Sequence, residues 1–182
     1  MLERMNSKAF NYFFLITFSS IAAFFLQQQN LKQINLKREI NYSQQEEVAR
    51  ANLQVLKKLP SFGFKHLKAD WLFIRFIQYF GDKEAREETG YALIPEYFEA
   101  ILNNDPRFVH AHLMLSTANS VYTGKPKQTV IFLEKSLTNL SPQIHDDAHF
   151  LWSYKGTDEM LFLNQIDAAE NSYRMAAQWV KQ

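Results

Sequence analysis

Apolar side chains recur at intervals of three and four along most of this chain, the signature of helices that bury one face. The stretch from Tyr97 to Pro142 organises the pattern. Tyr97, Phe98, Ile101 and Leu102 share a face, and Pro95 suits the first turn of their helix. That helix is expected to stop near Asn103. Asp105-Pro106 then fits an N-cap followed by proline at the first helical position, which starts a second helix at Pro106. Gly124 ends it and Pro126 opens a third.

Upstream, Ser43 and Glu46 have the spacing of a capping box, so a helix starts at Ser43. Val48, Val55 and Leu59, with Leu56 beside them, form its predicted buried face, and Pro60 and Gly63 end it. Residues Lys65 to Phe80 are apolar on nearly every side, which predicts a central helix covered around most of its girth. Asp70 stands among apolar helical neighbours there. It reads as a first-turn acid favouring the positive helix end, as one paired with a basic side chain from elsewhere, or as a buried cation- or proton-binding group. Gly81 to Gly90 is charged and glycine-bounded, the pattern of an exposed connection with one helical turn. After Pro142, Asp146 to Leu163 continue as a helix in which Gly156 marks a kink or close packing. Asn164 supplies a left-handed stop, and Asp167 to Val180 carries the stripe Ala169, Tyr173, Ala176 and Val180.

The N-terminal pattern differs. Ala9 to Leu26 contains no charge, and as a helix it reaches about 27 Å, close to a hydrocarbon core of roughly 30 Å. The chain is thus divided into a tail at 1–8, a transmembrane anchor at 9–26, a polar linker or helix extension at 27–42 and a helical domain at 43–182. A secretory signal peptide is the competing reading, with Arg4 and Lys8 as its basic end and Ser20-Ile21-Ala22 as a cleavage site. The anchor is preferred because Phe24, Phe25 and Leu26 continue the apolar run; a buried core helix is the third reading. Arg4 and Lys8 face Lys32, Lys37 and Arg38, so orientation rests on the short tail staying cytoplasmic and the domain standing outside.

Composition narrows the class. Five glycines and five prolines against sixteen phenylalanines predict an all-α protein with few loops. A net charge of +1 gives no field to gather nucleic acid, and the absence of cysteine removes disulfides, thiolate metal sites and thiol nucleophiles. No glycine-rich phosphate loop, nucleophile elbow or paired catalytic carboxylate motif is readable, so no catalytic residue and no cofactor are expected. His145 and His149, four apart, are the weak candidates for a metal-dependent enzyme or metal-binding protein, weighed against a polar first turn with Asp146 and Asp147. His110 and His112, two apart, point to different faces and cannot chelate together. Candidates for a partner groove are Asn119, Lys125, Lys127 and Lys155.

Ala169, Tyr173 and Ala176 resemble the small, aromatic and small positions of the second helix of a tetratricopeptide repeat. His112, Leu115 and Ser116 stand near the places of that repeat's tryptophan, leucine and glycine, with Ser136 at its late small position and Pro142 at its closing proline. Gly124 and Pro142 each come one residue late, and Trp71 to Pro106 is a third, partial unit. Gly63 to Asp82 and Gly90 to Phe108 are also similar to membrane-anchored tetratricopeptide-like proteins of cyanobacteria. The resemblance implies antiparallel helical hairpins stacked as a short α-solenoid, a protein-binding scaffold rather than an enzyme, and a role around membrane-complex assembly or maintenance. It also implies a missing polar closing helix after Gln182, so the last helix is expected to end a truncated array, or to dock through Ala176, Trp179 and Val180 on a partner or a second copy.

Overall fold

The computed structural model describes residues 7–36 and 41–180, except the side chains of 7–11, 13 and 29–36. Among the described residues there are nine helices and no strand, the all-α class that the composition predicts. The chain divides into two compact units, Met1–Asn41 and Tyr42–Gln182.

In the first unit a single helix, α1 (Ser7–Leu36), carries the apolar run straight into the polar glutamine-rich segment. Phe14, Ile16, Phe18 and Phe25 are exposed on it. Among the described residues no helix is long and apolar enough to cross a membrane. The sequence run at 9–26 includes Ala9, Phe10, Asn11 and Phe13, whose side chains lie outside the described residues, as do those of Lys8 and Lys32 and the whole of Arg4, Lys37 and Arg38, the charges that bear on orientation.

The second unit begins with α2 (Tyr42–Lys58), α3 (Lys65–Gly81), α4 (Lys83–Thr89) and α5 (Ile94–Asn104). It continues with α6 (Val109–Thr117), α7 (Pro126–Leu137), α8 (His149–Leu161) and α9 (Ile166–Val180). Helix α3 packs on α5, α7 on α8, α8 on α9, and α6 lies against α5 and α8. The core is made by Leu72, Phe76, Phe98, Ile101, Leu115, Leu133 and Leu151, all fully buried. Each such side chain contributes about 1.5–3 kcal/mol relative to exposure. Local chemistry sets several boundaries: Pro126 sits in the first turn of α7, Gly124 has φ +65°, and Asn164 has φ +54° between α8 and α9.

Other boundaries and faces differ from expectation. The second helix of the central stretch starts at Val109, not Pro106, because Asp105 caps a tight turn instead: Oδ1 accepts from the Arg107 amide at 3.0 Å. Ser43 lies inside α2 rather than at its cap, since Glu46 is engaged elsewhere. Its carboxylate accepts from Arg86 at 2.9 Å and from the Tyr79 hydroxyl at 3.1 Å. The Arg86 guanidinium also lies 3.7 Å over the Tyr79 ring, and burial pushes the Tyr79 hydroxyl pKa upward. The segment Gly81–Gly90 is mostly exposed, as expected, but its helical part is longer than one turn and turns Ala85 and Arg86 inward. Helix α4 buries Ala85 and Arg86 and ties α3 to α2.

The predicted buried face of α2 is turned outward. Leu53 is buried with Ala49 and Leu56 half-buried, whereas Val48, Val55 and Leu59 are exposed. Nor is α3 covered on all sides: Ala69, Leu72, Phe76 and Tyr79 are buried, and Leu67, Trp71, Ile74 and Ile77 are exposed. Asp70 is exposed too, which removes the buried-acid reading. At the other end, Gly156 is in close packing, with the Tyr173 ring over it. Ala169 and Ala176 are buried, and Trp179 is half-buried edge-on against Trp152 at 5.9 Å, so only Val180 of the expected sticky edge is largely exposed.

Candidate functional site

Helix α6 does not end at Thr117. It widens into a π turn, Ala118–Tyr122, before Gly124 reverses the chain. Such turns put one extra residue into the helix and need outside support, because their own bonding geometry is poorer. Here the support is a buried polar cluster. Asn119 Nδ2 donates to Thr129 Oγ1 at 3.0 Å, and Ser120 Oγ lies 2.8 Å from the same Thr129 oxygen. Ser120 Oγ also donates to Asp158 Oδ2 on α8 at 2.7 Å, and Thr123 Oγ1 to the Asn119 carbonyl at 2.6 Å. Asn119, Ser120, Thr129 and Asp158 are all buried. Burial pushes the Asp158 carboxyl up to about 6; the Ser120 hydrogen bond opposes this and the nearby Glu159 charge adds to it.

The π turn delivers Tyr122 to the outside, where it meets Phe80 of α3 at 5.0 Å between ring centroids and Tyr91 at 4.9 Å. Phe80 and Tyr122 wall a groove of about 440 Å³. Its lining comes from α3 (Phe80), α6 (His110, Leu113, Met114, Thr117), the π turn (Ala118, Tyr122) and α8 (Tyr154). Met114 is exposed in it, a flexible thioether that adapts to an apolar ligand. On the inner face of α6, His112 is fully buried, stacks on Phe98 at 5.7 Å and donates from Nε2 to the Asp105 carbonyl at 3.1 Å. Burial holds its pKa down at about 4, partly offset by that carbonyl and the Asp105 charge. This contact ties α6 to the Asp105 turn through a neutral imidazole.

The four partner-groove candidates from the sequence do not line this groove. Asn119 supports the π turn from inside. Lys155 is buried on α8, where it pairs with Glu159 and Glu134 and donates to Ser172 Oγ at 3.3 Å. Both are engaged within the protein, so neither can grip a partner's carboxylate. Lys125 and Lys127 are exposed at the start of α7. The sequence missed Phe80, Met114, Tyr122 and Tyr154 as a group, and the one legible signal was the unusual aromatic density.

The histidines separate in an unexpected way. His149 donates from Nδ1 to the Asp146 carbonyl at 2.8 Å and stacks on Phe150. His145 groups instead with His110 and Asp147, with ligand atoms within 4.8 Å of one another, and His110 Nε2 lies 3.6 Å from Asp147 Oδ2. His149 is outside this trio, so the pair expected from sequence is not the one the fold assembles. His145 Nδ1 accepts the Asp147 backbone amide at 3.1 Å, capping the short 3-10 turn Asp146–Ala148. A neutral imidazole accepting at Nδ1 carries its proton on Nε2, so this ring has no lone pair to offer a metal while the cap holds.

No protein-family model matches this chain, and no curated protein or solved structure matches it with significance.

Proposed function

We propose that the chain is a non-enzymatic, membrane-tethered scaffold that holds an apolar segment of a partner protein in the groove of Phe80, Met114, Tyr122 and Tyr154. In this reading α3 with α5, α6 with α7, and α8 with α9 are three antiparallel pairs of a short tetratricopeptide-like solenoid, α4 is an insertion, and 9–26 is the anchor. The observation that carries it is the origin of the groove's lining: the first helix of each pair contributes, as in repeat stacks that bind along their inner surface. The lining is mainly apolar and aromatic, and its polar members are engaged elsewhere, His110 beside Asp147 and Thr117 with the Leu113 carbonyl, which suits recognition rather than bond making. The resemblance to membrane-anchored tetratricopeptide-like proteins adds to this reading a role around assembly or maintenance of a membrane complex.

The test is affinity capture of the tagged chain from its native membrane in three forms. The unaltered chain and Lys127→Glu, away from the groove, retain the same partner, and Met114→Lys loses it. A partner kept by Met114→Lys, or lost equally by both variants, refutes the groove assignment.

A further inference from the structure

The turn between α2 and α3 projects the most exposed large apolar side chains of the second unit. Phe62 is 83% exposed and Phe64 68%. Leu59, Leu67 and Trp71 continue the surface, and with Phe64 they line one shallow cleft of about 410 Å³. Along α2, Val48 and Val55 extend it as an exposed stripe.

Along the sequence the charge of this segment has one sign, although Asp70, exposed beside Trp71, and the paired Glu96, Glu99 and Asp105 stand at its edge. Between Glu47 and Asp70 the chain carries Arg50, Lys57, Lys58, Lys65 and Lys68 and no acidic residue. Lys57 pairs with Glu99 at 2.7 Å, His66 with Asp105 at 2.8 Å, and Lys68 donates to the Leu59 carbonyl at 2.7 Å. Arg50 pairs with Glu96. Lys58 and Lys65 have no ion pair among the described residues and flank the tip in sequence on both sides. Aromatic and aliphatic residues ringed by lysine are the composition of segments that lie in the headgroup region of an anionic bilayer.

We propose that the α2–α3 turn inserts Phe62 and Phe64 into an anionic lipid surface, with Lys58 and Lys65 against the headgroups, so that the second unit lies on the membrane. This builds on the proposed tether, which would keep the turn at high local lipid concentration. Because the chain has no cysteine, Phe62→Cys carries a single environment-sensitive fluorophore without further change. The full chain is reconstituted into phosphatidylcholine vesicles with and without phosphatidylglycerol, and floated. The expected result is a label quenched by nitroxide lipids in the phosphatidylglycerol vesicles, less so at high salt, with a label at Lys127→Cys remaining aqueous. Lys58→Gln with Lys65→Gln lowers the embedded-to-aqueous ratio roughly thirty-fold, about five-fold per lysine. A chain that floats while the label at 62 stays aqueous overturns the insertion and leaves the tether standing; a chain that does not float overturns both. Shielding that lipid nitroxides do not quench means a protein covers the tip, and it too overturns the proposal.

Discussion

The Tyr173 ring of α9 lies flat over Gly156 of α8: a Cβ at 156 would stand 3.2 Å from three of its ring carbons. That distance is tight but not prohibitive, and Tyr173 is partly exposed, so its ring can move outward. Gly156→Ala therefore sets about 1 kcal/mol of gained helix propensity against a displaced ring and the weakening of its 3.0 Å hydroxyl hydrogen bond with Thr157 Oγ1. The expected net change is near zero. Gly156→Leu has no such balance and is expected to destabilise by about 1–3 kcal/mol through overpacking, read from urea midpoints of the two variants.

Glu46 and Arg86 form a buried pair that joins α2 to α4, with side chains 12% and 5% exposed. Removing one partner leaves the other charge buried without compensation. Arg86→Met or Glu46→Gln alone is expected to cost about 3–5 kcal/mol, and the double variant less than the sum. A double-mutant cycle in urea decides this, and strictly additive costs would show that the two side chains act independently.

His112 and Asp158 oppose each other in acid. The imidazole's folded value, about 4, lies below the ordinary 6.5, so its contribution is present above 6.5 and is lost as pH falls toward 4. The carboxyl's folded value, about 6, lies above the ordinary 3.8, so its contribution is present below 3.8 and is lost as pH rises through 6. Between pH 4 and 6 the two slopes cancel. Asp158→Asn is expected to uncover a loss on the order of 2–3 kcal/mol between pH 7 and 4, and His112→Gln a rise over the same range. Urea unfolding of the three proteins at several pH values measures it.

Trp179 meets Trp152 edge-on, so its truncation acts on the fold. Trp179→Ala is expected to lower stability by about 1.5–3 kcal/mol. Unchanged melting together with a drop in mass by light scattering would place Trp179 in a contact between copies instead.

What the sequence made legible was local backbone chemistry. Pro126, Gly124 and Asn164 fix their own neighbourhoods, and each marks a boundary where expected. Faces were harder, because α2 carries two apolar stripes and periodicity cannot say which is buried. Leu53 and Leu56 turn inward while Val48 and Val55 do not, an outcome set by the helices that pack against α2. Glu46 was misread for a related reason. A capping carboxylate and an ion-pairing carboxylate look alike until Arg86, forty residues away, is brought beside it. The groove and the His110–His145–Asp147 trio belong to this class as well: His145 and Asp147 are close in sequence, but His110 joins them, and Phe80 and Tyr154 join the groove, only through the fold.

Phe62 holds φ +47° beside Gly63 at φ +91°. Left-handed backbone costs an ordinary L-residue roughly 1–2 kcal/mol, and glycine almost nothing. A screen that rewards heat resistance alone would therefore favour Phe62→Gly and discard the most prominent ring on this unit. Durability and surface contact compete at one position, and an optimised variant would melt later while gripping its surroundings less.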